Sequence, residues 1–157
     1  MDITVRAATR DDVPAIVRLL ADDALGAQRE LLEEPVAQVY LQAFDDMAAQ
    51  PGNDLLVAVF ENQVIGCLQL TIITGLSRRG VKRAQLEGVR VSSTHRGEKV
   101  GEQLVQYAIA RALAAGCGLV QLTSDVSRLD ARRFYEKLGF KATHIGMKLP
   151  LTPPKAD

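Results

Sequence analysis

Apolar residues recur along the chain with two different periods, and these periods predict its secondary structure. Apolar runs rich in β-branched residues predict strands at 3–7, 55–60, 64–73, 84–91 and 119–123. Apolar residues spaced three and four apart predict helices that begin after Thr9, near Pro35, near Lys99 and near Leu129. Shorter runs at 140–143 and 145–149 are typical of two final strands.

Capping and turn residues support these boundaries. Thr9, with Asp12 three residues later, predicts a capping box at the start of the first helix. The segment 61–63 separates two strand runs and predicts a hairpin. Gly116 is expected to end the long helix. The inward face of that helix is predicted to contain Val100, Leu104, Val105, Ala108, Ile109 and Leu113.

The predicted order of elements is β-α-α-β-β-β-α-β-α-β-β, which indicates a mixed α/β sheet with helices on its faces. A length of 157 residues suits one domain. We expect this domain to cover 1–152, with a flexible tail at 153–157. The strand–helix–strand unit over 84–123 predicts two parallel strands joined by a right-handed crossover.

Composition argues against several classes of protein. No apolar run approaches the roughly 20 residues that cross a bilayer, and the first residues lack the features of a signal peptide. We therefore expect a cytoplasmic protein with no membrane partner. Cys67 and Cys117 lie 50 positions apart, which argues against a disulfide framework or a zinc site, and we expect no metal. The 19 basic and 19 acidic side chains cancel, which argues against a basic nucleic-acid binder.

The charges are nevertheless unevenly distributed. Residues 1–77 carry four basic and twelve acidic side chains, whereas the rest of the chain carries fifteen and seven. This asymmetry fits either ordinary surface variation or an anion site in the second half that faces an acidic first half. The basic cluster at 78–83 fits either a solvated hairpin tip, which we favour, or a contact with a phosphate.

The segment most indicative of chemistry is 85–104, where a strand leads through a basic, Gly-bearing turn into a long helix. Unpaired N–H groups and the dipole at a helix start favour a phosphate, and glycine permits its close approach. Taken alone, the turn fits a packing or capping device as well as a phosphate site. It has neither the P-loop order nor a dinucleotide fingerprint.

Two segments together resemble the GCN5-related N-acetyltransferase (GNAT) superfamily. Arg96-Gly97-Glu98-Lys99-Val100-Gly101 is similar to the [QR]-x-x-G-x-[GA] turn of its motif A, with Lys99 at the position of the middle glycine. The later run from Ala131 to Phe140 resembles motif B, which often reads A-x-x-[FL]-Y-x-K-x-G-F. Arg128 stands where many members have Asn. The predicted order of helices and strands also matches this superfamily from end to end.

The resemblance implies a GNAT-like fold, a mostly antiparallel twisted sheet flanked by about four helices, and an acyl-coenzyme A co-substrate, most often acetyl-CoA. In the family, backbone N–H groups of the turn bind the pyrophosphate, and Arg96 is placed to assist them. The turn residues that this implies are Gly97, Glu98, Lys99, Val100 and Gly101. The strand before the turn pairs with the pantetheine arm, which implies Val89 and Val91.

The resemblance also implies two catalytic residues. Glu87 lies nine residues before Arg96, where family members often carry an acidic residue that deprotonates the amine. The alternatives for Glu87 are a solvent-facing side chain or an ion pair with Arg90. Tyr135 of the motif B segment corresponds to a tyrosine that protonates the leaving thiolate, and its alternative is an amphipathic core residue beside Phe134.

We therefore expect an enzyme that transfers an acetyl group from acetyl-CoA to a primary amine, directly within a ternary complex. A small-molecule acceptor is favoured, with a protein or peptide amine as an alternative. A second alternative is a non-catalytic regulator that binds acyl-CoA in the same cleft. Many folds of this type pair through their C-terminal strands, so a homodimer is expected by analogy.

Overall fold

A computed structural model of the protein describes residues 1–152, so the predicted tail at 153–157 lies outside the described residues. The chain divides into two compact units, of which the first is Met1–Leu122 and the second begins at Thr123. The strands of the first unit are β1 (Thr4–Ala7), β2 (Asn53–Phe60), β3 (Gln63–Ile73), β4 (Lys82–Val91) and β5 (Cys117–Leu122).

The helices follow most of the predicted positions. Those of the first unit are α1 (Val13–Leu20), α2 (Gly26–Arg29), α3 (Gln38–Ala49), α4 (Ser77–Gly80) and α5 (Val100–Ala114). The second unit contains α6 (Leu129–Lys137). The short helix α2 was not predicted, because one helical turn is too short to show a period. In α4 the backbone is left-handed at Arg78 (φ 51°) and Arg79 (φ 60°), so this segment is a turn between β3 and β4. Single 3-10 turns lie at Arg10–Asp12 and Ser93–His95.

The five strands form one sheet in the order β1-β2-β3-β4-β5. The first three pairs are antiparallel, and β4 and β5 are parallel across the α5 crossover, as predicted. A two-residue turn closes the predicted hairpin, with positive φ at Glu61 (47°) and Asn62 (62°), the geometry that matches the twist of paired strands. The predicted α/β fold class is confirmed.

Helices pack on both faces of this sheet. Ile16 and Leu19 of α1 are buried against Val57 and Cys67 on one face. On the other face, the α5 residue Leu104 lies so close to β3 that a Cβ at Gly66 would meet its Cδ1 at 2.9 Å. Apolar burial of this kind is the main force that holds helices on a sheet. The start of α5, and with it the turn at 96–99, is therefore fixed on β3.

The inward face of α5 differs from the prediction at one end. Val100, Leu104, Val105 and Ala108 are buried as predicted. Leu113, by contrast, is 70% exposed. Ala112, one residue earlier, is 1% exposed, so the buried stripe continues through Ala108 and Ala112 and leaves Leu113 on the outer side of the last turn.

The second unit lacks the two strands predicted for it. In the described part of the chain after Lys137, no residue belongs to a helix or a strand, so the predictions at 140–143 and 145–149 are wrong. The alternating apolar side chains are exposed to solvent: Ile145, Met147 and Leu149 are 90%, 91% and 83% exposed. A strand forms only where another strand accepts its backbone hydrogen bonds, which an alternating pattern does not guarantee. Among residues 1–152, no helix has the length and apolar character that a membrane span requires.

Candidate active site

A bulge in the middle of β4 shapes the candidate site. Glu87 pairs with Gln69 and Arg90 pairs with Cys67, so three steps along β4 are matched by two along β3. The extra residue is accommodated at Gly88, whose φ is +58°, a conformation that glycine adopts at little cost. Bulges of this kind redirect neighbouring side chains and backbone groups, so β4 changes direction directly after Glu87.

The pairing of β4 with the parallel strand β5 ends at the same place, because β5 itself ends there. Their pairing ends at Leu86 and Leu122, one residue before Glu87. From Glu87 to Val91, β4 therefore pairs with β3 but no longer with β5. Val89 and Val91, which the resemblance implies for the pantetheine arm, lie in this part of β4.

The turn after β4 leads directly into α5. Its backbone has positive φ at Gly97 (83°) and at Lys99 (62°). Lys99 thus adopts the left-handed conformation that a glycine would take at this position, although a lysine stands there. Nothing lies within 4 Å of the Cβ position of Gly97, so the surface of the turn is open to close approach. The residues from Arg96 to Gly101 form this turn and the start of α5.

The loop between α1 and α2 holds this turn from outside. The carboxylate of Asp22 accepts a hydrogen bond of 2.8 Å from the Ser93 N–H, and its backbone carbonyl accepts one of 2.8 Å from Arg96 Nη2. The Arg96 guanidinium is therefore engaged within the protein at one edge. Asp22 thus contacts the segment just before the turn and the first residue of the turn, which fixes the start of the turn relative to α1.

Arg90 makes a second connection to the same loop. Its Nε lies 3.7 Å from a carboxylate oxygen of Asp23, and its Nη1 donates to the Val89 carbonyl at 2.9 Å. The other carboxylate oxygen of Asp23 accepts a 2.6 Å hydrogen bond from the Gly26 N–H. Asp22, Asp23 and the positioning role of Arg90 were missed by sequence reasoning, because contacts across about 70 residues leave no local spacing signal.

Glu87 has an exposed side chain within this half of β4. Among residues 1–152 it forms no ion pair, so the predicted alternative of a pair with Arg90 is not formed. Its cross-strand neighbour is Gln69, a neutral amide. The Glu87 carboxylate therefore faces solvent, as the other predicted alternative has it, and is accessible to a ligand.

Cys67 lies beneath the bulge and is 1% exposed. Its thiol donates a 3.5 Å hydrogen bond to the Gly88 carbonyl. Burial raises the pKa of the Cys67 thiol to about 12, so it remains protonated at neutral pH. A protonated, buried thiol is a poor nucleophile. Cys67 is therefore a core residue, as expected.

Tyr135 lies on α6 in the second unit. Its ring makes edge-to-face contacts with Phe134 and Phe140, at centroid distances of 5.0 and 5.7 Å. Its backbone carbonyl accepts a 3.1 Å hydrogen bond from the Phe140 N–H. These contacts order the tyrosine within the motif B segment. In the described residues of both units, no three His, Cys, Asp or Glu side chains are grouped so as to hold a metal ion.

Comparison with known proteins identifies the family. The model of the acetyltransferase (GNAT) family matches residues 15–140, which include both the turn and the Tyr135 segment. An aminoalkylphosphonate N-acetyltransferase of Salmonella typhimurium is 27% identical, over 90% of this chain and 86% of that protein. A glucosamine 6-phosphate N-acetyltransferase of Trypanosoma brucei brucei is 31% identical, over 90% of this chain and 99% of that protein.

Solved structures share the fold over nearly the whole chain. A transcriptional regulator from Bacillus halodurans C-125 is 45% identical with a TM-score of 0.93, over 96% of this chain and all of that one. An Arabidopsis thaliana glucosamine-6-phosphate N-acetyltransferase has a TM-score of 0.79 over 97% of this chain and all of that one, at 20% identity, which shows the fold alone. Given that the family model spans most of its length, the chain belongs to the acetyltransferase (GNAT) family.

Proposed function

We propose that this protein transfers an acetyl group from acetyl-CoA to the primary amine of a small molecule, directly and within one ternary complex. One observation carries this proposal. On β4, the exposed Glu87 lies one residue beyond the end of the pairing with β5, and the chain continues from this strand into the open turn at the start of α5. The proposed acid–base group and the proposed anion-binding turn thus follow one another along one continuous segment.

The turn fits the pyrophosphate of coenzyme A. The first N–H groups of α5, from Val100 onward, have no partner in the preceding turn of helix and lie at the positive end of its dipole. The positive φ of Gly97 and Lys99 brings the backbone around this end of the helix. In this proposal the turn N–H groups from Gly97 to Gly101 donate to the pyrophosphate oxygens. Val89 and Val91 offer backbone groups to the pantetheine arm.

The chain's own residues supply the proton transfers. When bound, acetyl-CoA contributes a thioester whose carbon–sulfur bond breaks as the new carbon–nitrogen bond forms. Glu87 accepts the proton that the ammonium form of the acceptor must lose, directly or through a water molecule. Tyr135 donates a proton from its phenol to the departing sulfur.

The characterised relatives support a small-molecule acceptor. The Salmonella enzyme is named for aminoalkylphosphonates and the trypanosomal enzyme for glucosamine 6-phosphate, and both are small primary amines. Acetylation of a protein or peptide amine remains the alternative acceptor within the same chemistry.

The test is the release of coenzyme A from acetyl-CoA with a panel of primary amines. We expect Glu87→Gln to lower kcat about 10²- to 10⁴-fold, the usual contribution of a general base, and Tyr135→Phe to lower it as well. Glu61→Gln, which removes an exposed carboxylate at the hairpin tip, serves as the matched control and should leave kcat unchanged. Unaltered turnover in both Glu87→Gln and Tyr135→Phe would contradict the assigned roles.

We also propose that the enzyme acts in the cytoplasm as a homodimer. The exposed residues Ile145, Met147 and Leu149 alternate as in a strand, and β5 is an edge strand of the sheet within the described residues. In this proposal the segment 145–149 of one copy pairs with an edge strand of the partner's sheet. Light scattering should give a dimer mass for the wild type, and the pair of substitutions Ile145→Lys and Met147→Lys should give a monomer. A wild-type monomer would contradict this part of the proposal.

One observation favours a second candidate function. The Bacillus halodurans structure, 45% identical over almost the whole chain, is that of a transcriptional regulator. A regulator that binds acyl-CoA in the same cleft would require no proton transfer by Glu87. Tight acetyl-CoA binding without turnover of any amine, unchanged by Glu87→Gln, would support this candidate over the enzyme.

A further inference from the structure

One face of the sheet carries a row of neutral polar side chains next to Glu87. Cross-strand pairing places four residues side by side across β2 to β5. This polar row consists of Asn53, Thr71, Gln85 and Gln121. The adjacent row on the same face contains Glu87 and Gln69, because residues two apart in a strand point to the same side.

The side chains of these rows are held by hydrogen bonds to one another. Gln121 Nε2 donates to Gln85 Oε1 at 2.8 Å, and Gln69 Nε2 donates to Asn53 Oδ1 at 3.0 Å. All of these residues except the exposed Glu87 are half-buried. A fixed arrangement of amides beside an exposed carboxylate is unusual for a sheet face that serves packing alone, which would be apolar. This arrangement therefore suits a polar ligand.

Arg83 lies on the same face, on the side of the polar row opposite to Glu87. It lies in β4 two residues before Gln85 and four before Glu87, so all three share one side of the sheet. Arg83 is half-buried, and between Met1 and Thr152 it forms no hydrogen bond or ion pair. The basic residues of the 78–83 cluster thus lie in different surroundings in the structure. Lys82 contacts the Ala115 carbonyl at 3.4 Å, whereas Arg78 and Arg79 are exposed in the turn.

The functional groups on this face follow one another in a fixed order along β4. The turn that would hold the pyrophosphate follows the carboxyl end of β4, and the bulge at Gly88 lies nearer the middle. An acceptor on the opposite side of the bulge therefore meets Glu87 first, then the polar row, then Arg83. The Cα atoms of Glu87 and Arg83 are about 13 Å apart at the rise of an extended strand.

We propose that the acceptor is a primary amine that carries an anionic group, a carboxylate, phosphate or phosphonate, at its other end. This inference rests on the proposed function. The amine lies at Glu87, Gln85 and Gln121 contact the polar middle of the molecule, and the Arg83 guanidinium binds the anion. A guanidinium presents paired N–H donors that match the oxygens of these three anions. Glu87 and Arg83, of opposite charge on one face, together complement a zwitterion.

The experiment compares amines that differ only in their terminal group. Amino alcohols, amino carboxylates and aminoalkylphosphonates are assayed over a series of chain lengths, and kcat/KM is measured for each. We expect at least one anionic amine to exceed the alcohol of equal length by about tenfold or more, the usual effect of a charge-assisted hydrogen bond. The carboxylate and phosphonate arms then identify which anion the site prefers.

Arg83→Gln should reduce the ratio of kcat/KM between the anionic and neutral amines to near one, and Arg83→Lys should preserve part of it. Arg79→Gln removes the same charge from the same cluster but not from this face, so it should keep the wild-type ratio. A wild type without preference, or a ratio unchanged in Arg83→Gln, would overturn the proposal. Thermal unfolding confirms that each variant is folded.

Binding measurements separate this inference from the proposed function. Calorimetry of the CoA-loaded protein should show tighter binding of the aminoalkylphosphonate than of the amino alcohol, and Arg83→Gln should abolish that difference. If this holds but no amine is acetylated, the proposed function fails and the anion site stands. If neutral and anionic amines are acetylated equally well, the proposed function stands and the anion site fails.

Discussion

The Arg96 guanidinium donates a hydrogen bond of 2.8 Å to the backbone carbonyl of Asp22, across 74 residues of sequence. The Asp22 carboxylate also accepts the Ser93 N–H at 2.8 Å. One residue of the α1–α2 loop therefore holds the start of the turn proposed to bind pyrophosphate, through Ser93 just before it and Arg96 at its first position. Because the bond to Arg96 involves the Asp22 backbone carbonyl, a substitution of the Asp22 side chain removes only the contact with Ser93.

We predict that Asp22→Ala raises the KM for acetyl-CoA about tenfold, because the Ser93 end of the turn loses its acceptor and the turn must be ordered on binding. Asp22→Asn keeps an oxygen acceptor and should restore a KM close to that of the wild type. Asp46→Ala, on the exposed side of α3, is the matched control. An equal KM for wild type and Asp22→Ala would show that the turn is ordered without this contact.

Substitutions at Lys99 and Gly97 should change the free energy of unfolding in opposite directions. Both have positive φ, a conformation that costs an L-residue about 1–2 kcal/mol and glycine almost none. Lys99→Gly relieves this cost but adds the backbone entropy of glycine, about 0.5–1 kcal/mol. We therefore expect the free energy of unfolding to rise by up to about 1 kcal/mol in Lys99→Gly.

Gly97→Ala should lower the free energy of unfolding by a similar amount, up to about 1 kcal/mol, because the left-handed strain that alanine adds is partly offset by the backbone entropy that glycine no longer costs. Open space surrounds the Cβ position of Gly97, so this loss would come from backbone strain and not from a steric clash. Urea denaturation of the two variants beside the wild type measures both changes. Changes of the same sign in the two variants would be inconsistent with the backbone explanation.

The periodic patterns of the sequence predicted most of the fold because they report local burial. The first five strands and the four long helices lie within a few residues of their predicted positions. The final strands at 140–143 and 145–149 were wrong, because alternation reports a preference for extended backbone but not the presence of a pairing partner. Helix α2 was missed since four residues show no period.

The candidate site was predictable where its residues are neighbours in sequence. Spacing and motif resemblance placed Glu87 and the turn from Arg96 to Gly101 on one continuous segment. The contacts of Asp22 and Asp23 with this segment were not predictable, since they depend on how α1 packs on the sheet. Likewise, Arg83 lay within a basic cluster, and only the strand register separates it from its neighbours.

The two cysteines should differ sharply in reactivity. With a pKa of about 12, roughly one Cys67 thiol in 10⁴ is ionised at pH 8, and the side chain is also buried. Cys117 is half-buried at the start of β5. We expect an alkylating reagent at pH 8 to label Cys117 in the folded protein and to label both cysteines in urea, as measured by peptide mass spectrometry. Equal labelling of both in the folded protein would show that the sheet opens beneath Gly88.

Asp12 should contribute stability that is lost in acid. Arg6 Nη1 donates a 2.7 Å hydrogen bond to Asp12 Oδ2, and this contact is the main reason that the pKa of the Asp12 carboxyl lies below its usual value. The Thr9 N–H donates a second hydrogen bond of 2.7 Å to the same oxygen. A carboxyl with a lowered pKa stabilises the fold fully above its unfolded pKa, near 3.9, and loses that effect as the pH falls through its folded pKa. Asp12→Asn should therefore lower the free energy of unfolding at pH 7.

We expect a loss of about 1–3 kcal/mol at pH 7, as for a charged hydrogen-bond partner at a helix start. The difference from the wild type should shrink steadily as the pH falls below about 4, because the wild-type carboxyl is then protonated as well. Asp11→Asn is the matched control, since its side chain is exposed beside Asp12, and it should change stability little at either pH. A deficit in Asp12→Asn that stays constant from pH 7 to the acid limit would mean that the capping box stabilises α1 through its shape and not through the Asp12 charge.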